Sequence, residues 1–342
     1  MEDSSNSNNS SSENEESEQK WDITYENEKK YWDDNLLGEY IYISHLCPSC
    51  KKNTLELKEH TNNNIINPYY LRCSRKKCRK IVNIRQCSFF KLHNKIPASI
   101  LHFIIKEFIL MKSCGVEIQK RIKEKFKYNI NYKTLLNILM NLRKVIADYL
   151  KNKYRSNRIG GDPSTEIVVA VDECLFEHEE DGSQIWIVGA IETESRKKRF
   201  DILPNRSSVN LKKFAVNHIL PGTHITHDGW RGYDFWGDDE LLYTEEIHDH
   251  GGGDFGTGKN STSNIEHTWS HMKNQIKNIY NIIPKTNFIY YFREAEFRLN
   301  LSKKTDSQKE NYFKKVLKYV YEMHEYEFYS EEEIYDFDNY DI

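Results

Sequence analysis

The chain has no long apolar run. None of its 342 residues lies in an uninterrupted stretch of 18 apolar side chains, so we expect no membrane-spanning helix. Residues 1–20 have no aliphatic side chain after Met1 and consist mainly of Ser, Asn and Glu. They lack the basic start and apolar centre of a secretory signal peptide, and we predict a disordered tail there.

Cysteine is present in an odd number, and no secretory signal accompanies it. Seven cysteines without such a signal favour a reducing compartment, where disulfides are rare. Two close pairs stand out, Cys47-Pro-Ser-Cys50 and Cys73-x4-Cys78. Pairs on facing turns can place four thiolates around one Zn²⁺, so residues 21–95 are predicted to form a zinc ribbon. The alternative is a set of unrelated buried cysteines.

The net charge of −3 hides an uneven distribution. Residues 1–20 contribute −5 and residues 322–342 contribute −9, which leaves +11 on residues 21–321. A basic folded region suits a polyanionic partner such as double-stranded DNA, although solvated basic surface without a partner remains possible. The second cysteine pair is especially basic, and its candidate phosphate contacts are Arg75, Lys76, Lys77, Arg79 and Lys80, with Arg72 and Arg85 beside them.

Residues 96–155 show three helical apolar patterns. We expect helices over about 97–111, 116–126 and 132–150, a shape typical of a helix-turn-helix DNA-binding region, although plain packing between two modules is the alternative. The last of these helices would present Tyr132, Lys133 and Thr134 at its start, where recognition helices meet base edges.

Residues 160–310 alternate between β-branched runs and helical patterns. The predicted strands cover 166–172, 185–192, 199–203, 224–228 and 241–247, with helices over 209–219 and from Ser263 onward. This order is that of an α/β ribonuclease-H-like fold. In that fold the first and fourth strands adjoin, so Asp172, Asp228 and Glu266 are predicted to converge.

Converging carboxylates repel one another unless divalent cations neutralise them, so two Mg²⁺ or Mn²⁺ ions are predicted. Such a pair can activate a water or a 3′-hydroxyl and stabilise the leaving oxygen at phosphorus. Asp172 would bridge both ions, while Asp228 and Glu266 would each hold one. Lys273, on the same side of its helix as Glu266, would contact backbone phosphate. The alternative is a capping box, in which Glu266 only caps the helix with Ser263.

Several motifs resemble those of insertion-sequence transposases of the ISXO-like group, whose eukaryotic relatives are the Merlin DNA transposons. They are the ribbon cysteines, Val171-Asp172-Glu173, Asp228-Gly229-Trp230-x-x-Tyr233, His250, Asn264-Ile265-Glu266-x-x-Trp269-Ser270-x-x-Lys273 and Tyr291-x-x-Glu294-x-x-x-Arg298-x-Asn300. The resemblance implies a DDE-type transposase acting on terminal inverted repeats and target DNA as a possible homodimer. It assigns catalysis to Asp172, Asp228, Glu266 and Lys273. The expected location is the nucleus in a eukaryotic cell and the cytoplasm otherwise.

Other assignments stay open at the level of the sequence. A domesticated transposase that binds DNA without transposing it is the alternative function. His250 could position a phosphate or a water, and Asn264 could replace Glu266 as the third ligand. Glu294 and Arg298 are expected to form an ion pair that braces the fold. We expect Trp186, Trp230 and Trp269 to lie in the core. Residues 311–342 are expected to form a helix followed by an acidic aromatic tail.

Overall fold

The computed structural model describes most of the chain between Trp21 and Met323. The described residues are 21–41, 46–110, 114–161, 164, 167–177, 184–237, 242–248, 256–279 and 287–323. The predicted tail of residues 1–20, His250, and residues 324–342 of the predicted C-terminal segment 311–342 lie outside them. No helix within these ranges is long and apolar enough to cross a membrane.

The N-terminal part holds a small antiparallel sheet. A first helix, α1 (Tyr25–Tyr31), continues into one π-helical turn, and three strands follow in the order β1-β2-β3. Their bounds are β1 (Leu55–Glu59), β2 (Tyr69–Cys73) and β3 (Ile81–Asn83). β1 lies between the two cysteine pairs, and β2 ends at Cys73 of the second pair. Leu55 and Leu71 lie with Cys47 and Cys73 in one small apolar cluster.

Three helices come next, close to their predicted limits. They are α2 (Ala98–Leu110), α3 (Gly115–Phe126) and α4 (Tyr132–Ser156). Asn131 caps α4 by accepting a hydrogen bond from the backbone N–H of Lys133 at 2.9 Å. The third helix extends six residues beyond the predicted end at residue 150, since Leu150 and Tyr154 continue its buried stripe.

The second sheet has five strands in the order β6-β5-β4-β7-β8. Their bounds are β4 (Val168–Glu177), β5 (Gln184–Glu192), β6 (Lys198–Leu203), β7 (His224–His227) and β8 (Thr244–Ile247). β4 pairs antiparallel with β5, and β5 pairs antiparallel with β6. β7 pairs parallel with both β4 and β8. This mixed α/β sheet confirms that the first and fourth strands of the predicted fold adjoin, because β4 pairs with β7.

Helices cover both faces of this sheet. α5 (Ser208–His218) packs on one face through Leu211 and Phe214. α6 (Ser263–Ile279) and α7 (Phe288–Leu301) pack on the other through side chains that include Ile265 and Phe292. The β-branched run that ends in Asp172 is buried because both faces of β4 are covered.

The last helix, α8 (Asp306–Met323), packs on the helical region near the N-terminal sheet. Phe313 and Val316 lie in one apolar cluster with residues of α2, α3 and α4. The hydroxyls of Tyr149 and Tyr312 meet at 2.9 Å, and Lys314 pairs with Glu39 at 2.7 Å. The two ends of the described chain are therefore packed against each other.

Candidate active site and cysteine cluster

Two carboxylates lie side by side at the centre of the large sheet. The parallel ladder between β4 and β7 pairs Ala170 with Thr226. Continuing that register by two residues brings Asp172 opposite Asp228, just past the end of β7. Adjacent strands are about 4.8 Å apart, so the two carboxylates are close neighbours. The register of the sheet therefore brings two of the three predicted site residues, Asp172 and Asp228, next to each other.

The turn that carries Asp228 is held from behind by His227. The buried ring of His227 accepts a hydrogen bond from the N–H of Gly229 at its Nδ1 (3.1 Å), so its Nε2 carries the proton toward Glu245 (3.0 Å). Gly229 has φ +73°, and a Cβ there would lie 2.7 Å from Ile247. Only glycine fits this turn without strain.

Asp172 is oriented by a tryptophan of α6. The Nε1–H of Trp269 donates to Asp172 Oδ2 at 3.0 Å, and the backbone N–H of Glu173 donates to Oδ1 at 2.8 Å. Gly189, opposite Asp172 on β5, makes room for the indole, because a Cβ there would lie 2.7 Å from it. Trp269 is a core residue, as predicted, and it also fixes the direction of the central carboxylate.

Glu266 is one helical turn before Trp269 on α6. The backbone carbonyl of Thr262 accepts from the N–H of Glu266 at 3.4 Å, and the N–H of Ser263 bonds to Ser261 Oγ at 3.2 Å. Thr262 therefore occupies the position before the helix, and the interpretation of Ser263 as the helix cap is wrong. The negative charge of Glu266 reaches Asp172 and raises its pKa.

Burial dominates the electrostatics of this site. It raises the pKa of Asp172 to about 6, with further contributions from the charges of Asp228 and Glu266 and opposition from the two hydrogen bonds to Asp172. Carboxylates that disfavour one another's charge attract divalent cations. Among the described residues, these three do not form a group with all ligand atoms within 4.8 Å of one another.

Glu173 is a second buried carboxylate, which the sequence did not single out as a site residue. Its side chain is 1% exposed and lies 3.4 Å from the guanidinium of Arg206. Burial raises its pKa to about 7, although Arg206 opposes the shift. Arg206 in turn lies between two indoles, 4.6 Å from the ring of Trp186 and 4.4 Å from that of Trp230.

Trp230 is not a core residue. The residue is 43% exposed, so the prediction that it is buried is wrong. Its backbone N–H donates to Asp228 Oδ1 at 3.0 Å, which places it at the rim of the carboxylate pair.

Lys273 lies on the exposed side of α6, two turns after Glu266. Its ammonium is 5.6 Å from the ring of Phe176 and lowers the pKa of the Cys174 thiol, which burial raises. Because Phe176 and Cys174 follow Asp172 on β4, the positive charge is at the same end of the sheet as the carboxylates. Asn264 is half-buried in the first turn of α6.

The four paired cysteines meet in the N-terminal sheet. Their sulfur atoms all lie within 4.8 Å of one another, with Cys47 and Cys78 at 3.6 Å and Cys50 and Cys73 at 3.8 Å. Four thiolates around one Zn²⁺ would be about 3.8 Å apart, given Zn–S bonds of about 2.3 Å. Burial opposes ionisation of Cys50, but hydrogen bonds from Thr54 and Arg75 outweigh it and lower the pKa to about 6. The donor set and its spacing fit a tetrahedral zinc site.

The basic residues of the second cysteine pair divide into two groups. Those predicted to contact phosphate, namely Arg75, Lys76, Lys77, Arg79 and Lys80, are all exposed. Arg85 is buried instead, donates to the carbonyls of Ile66 and Ile96, and lies 5.4 Å from the ring of Trp32. The expectation that Arg85 belongs to the phosphate-contacting cluster is wrong.

The predicted start of the recognition helix is also open to solvent. Tyr132, Lys133 and Thr134 form the exposed first turn of α4. The hydroxyl of Tyr132 lies over Gly115, where a Cβ would be 3.3 Å from it. This contact ties the beginning of α3 to the beginning of α4.

A buried ion-pair network connects the helical region to the large sheet. Glu294 of α7 pairs with Arg298 one turn later, as predicted, and also accepts from Arg143 Nε of α4 at 2.7 Å. Arg298 donates to the carbonyls of Phe108 (2.6 Å) and Ile109 (3.3 Å) at the end of α2. The motif that contains Glu294 and Arg298 therefore braces the fold. The role of Arg143 has no sequence signal, since it depends on which helices pack together.

Comparisons with known proteins concern the region of the large sheet. Residues 163–300 match the sequence model of the ISXO2-like transposase domain. The search of curated proteins gave no match.

Solved structures that resemble the chain include retroviral integrases. The catalytic core of BIV integrase shows 12% identity and a TM-score of 0.29, covering 41% of this chain and 86% of that chain. The dimeric HTLV-2 integrase catalytic core in complex with magnesium shows 14% identity and a TM-score of 0.30, covering 42% and 96%. A chain of the simian T-cell lymphotropic virus intasome shows 12% identity and a TM-score of 0.31, and the match covers 59% of this chain and 72% of that chain. Asp172, Asp228 and Glu266 thus all lie in the region that matches the ISXO2-like transposase domain.

Proposed function

We propose that this protein is a DDE-type DNA transposase that nicks the ends of a mobile element and joins them to target DNA. The element would belong to the ISXO-like group, with Merlin transposons as its eukaryotic relatives. The observation that carries the proposal is the convergence of Asp172 and Asp228 on adjacent strands, with Glu266 close enough to raise the pKa of Asp172. This convergence falls within the region that matches the transposase family.

Asp172, Asp228 and Glu266 would hold two Mg²⁺ or Mn²⁺ ions, which supply Lewis acidity and an activated hydroxyl nucleophile when bound. The chain itself orients this site. Trp269 holds Asp172 Oδ2, and Asp228 accepts from the N–H of Trp230. Lys273 would contact backbone phosphate next to the bond that is cut.

The N-terminal half would recognise the element ends. Cys47, Cys50, Cys73 and Cys78 would hold one structural Zn²⁺. The exposed cluster from Arg75 to Lys80 would bind phosphates, and the first turn of α4 would meet base edges. The proposed units are a zinc ribbon over residues 21–95, a helical DNA-binding region over 96–155 and a catalytic domain over 160–310. The protein would act as a homodimer on paired element ends, and in a eukaryotic cell it would do so in the nucleus.

The decisive experiment uses DNA that carries the inverted repeats flanking the gene. The full-length protein is incubated with this DNA and Mg²⁺ or Mn²⁺, and nicking and strand transfer are followed on denaturing gels. We expect both products from the wild type and neither from Asp172→Ala or Glu266→Ala. Tight, specific binding without cleavage by the wild type would refute the proposed enzyme and favour a domesticated DNA-binding protein.

Two further variants sharpen this experiment. Asp234→Asn removes an exposed carboxylate six residues after Asp228 and should leave cleavage unchanged. Lys273→Ala removes an exposed ammonium, so it should slow cleavage without lowering thermal stability. Cleavage that persists in Asp172→Ala would refute the assignment of the site.

A further inference from the structure

An exposed tryptophan borders the carboxylates. Tryptophan is largely buried in most folded proteins, yet 43% of Trp230 is exposed. It follows Asp228 by two residues, and its backbone N–H donates to that carboxylate at 3.0 Å. The indole therefore lies where DNA would pass if Asp228 acts on it.

The indole is held in place. The guanidinium of Arg206 lies 4.4 Å from its ring, and Arg206 is itself positioned by Trp186 and by buried Glu173. The pyrrole edge lies over Gly232, where a Cβ would be 2.6 Å from Nε1 of Trp230. A ring fixed before binding loses little conformational freedom when a ligand covers it.

The chemistry of this surface fits a nucleobase. Every base has a π-face that stacks on an aromatic ring regardless of sequence, and a neighbouring arginine adds attraction to both base and phosphate. A base inside an intact duplex has no free face, so the ligand must be unpaired or displaced from the stack.

We propose that Trp230 is a stacking site for one unpaired nucleobase of the DNA held at the carboxylates, with Arg206 as its positioning residue. This inference rests on the proposed function, because it places DNA at Asp228. Stacking of this kind changes affinity by about 5- to 150-fold per base.

The test compares two short duplexes in Ca²⁺, one with 2-aminopurine paired and one with it in a single-stranded bubble. Affinity is measured by fluorescence anisotropy, and stacking by quenching of 2-aminopurine. We expect the wild type to prefer the bubble and to quench its fluorescence. Trp230→Ala should lose about 5- to 150-fold in affinity for the bubble alone, whereas Trp230→Phe keeps most of it. Arg206→Lys, which keeps the charge but not the planar group, should weaken quenching.

The matched control is Val216→Ala, because Val216 is 42% exposed on α5 and lies outside the proposed site. It should bind both duplexes like the wild type. A Trp230→Ala variant that is folded by circular dichroism and keeps both bubble preference and quenching would overturn the proposal. So would a change from dimer to monomer in that variant with unaltered DNA binding, since a second copy would then cover the ring.

Failure of this inference is distinguishable from failure of the proposed function. If the wild type never cuts DNA but Trp230 still controls quenching, the base site stands and the transposase proposal falls. If the wild type cuts DNA and Trp230→Ala loses neither quenching nor bubble preference, only the base site falls.

Discussion

The surroundings of Asp172 disfavour its ionised form, so ionisation of this carboxyl lowers the stability of the folded protein. Burial and the charges of Asp228 and Glu266 raise its pKa to about 6, from an ordinary value of 3.8. The folded protein therefore binds the proton more tightly than the unfolded chain does. With respect to this group, stability is highest below pH about 4, falls as the pH rises from about 4 to about 6, and is level above that.

Asp172→Asn removes the charge while keeping an oxygen for Trp269, so it should stabilise the cation-free protein at pH 7.5. A shift of about two pKa units corresponds to about 3 kcal/mol, which is an upper value for this half-buried group. For a chain of this size we expect a rise in Tm of about 5 °C. The gain should fall to about half at pH 5, where Asp172 in the folded protein is mostly protonated.

The assay is differential scanning fluorimetry in buffer free of divalent cations, repeated with Mn²⁺. Mn²⁺ should raise the Tm of the wild type and leave that of Asp172→Asn nearly unchanged, because the carboxylate is what attracts the ion. The matched control is Asp201→Asn. Burial opposes the charge of Asp201 too, but His218 and Arg293 outweigh it and lower its pKa, so this variant should lose stability. A wild-type Tm above that of Asp172→Asn at pH 7.5 without cations would refute the reasoning.

Three other predictions concern the supports of the site. Cys50→Ser should reduce zinc content measured by atomic absorption from one ion per chain to well below one, and full retention would argue against the four-thiolate site. Glu294→Gln should cost about 3–5 kcal/mol in chemical denaturation, because it removes the charge of a carboxylate that pairs with the guanidiniums of Arg143 and Arg298; a loss below about 1 kcal/mol would contradict this. Trp269→Phe keeps the apolar packing but not the hydrogen bond that lowers the pKa of Asp172, so stabilisation by Mn²⁺ should require a higher pH. An unchanged pH profile would show that the bond does not act on Asp172.

The strands of the large sheet were predictable because both faces are buried. Runs of β-branched residues such as 185–192 have few alternatives, and the observed β5 (Gln184–Glu192) differs by one residue. Once the strand order is known, the register brings Asp172 and Asp228 together without further information. The proximity of Asp172 and Asp228 was therefore accessible from pattern and topology, whereas the position of Glu266 depends on how α6 packs on the sheet.

Long side chains were less predictable than strands. Arg85 belongs to a basic stretch, yet it turns inward to donate to two carbonyls, because the carbonyls it satisfies come from distant parts of the chain. Trp230 has a large, mostly apolar side chain of the kind usually found in a core, yet its contacts with Gly232 and Arg206 hold it at the surface. Local sequence records neither the partner nor the direction of such a side chain.

In the motif from Asn264 to Lys273, Trp269 contributes to the candidate site as well as the acidic residue Glu266. The indole reaches Asp172 only because Gly189, on the neighbouring strand, has no side chain in its path. Trp269 and Glu266 are three residues apart, so both project from one side of α6 toward the sheet. The packing of α6 on the sheet therefore places both Glu266 and Trp269, whose N–H orients the carboxylate of Asp172. A substitution that shifts α6 should disturb both groups together, which makes the packing of this helix, and not Glu266 alone, the determinant of the site.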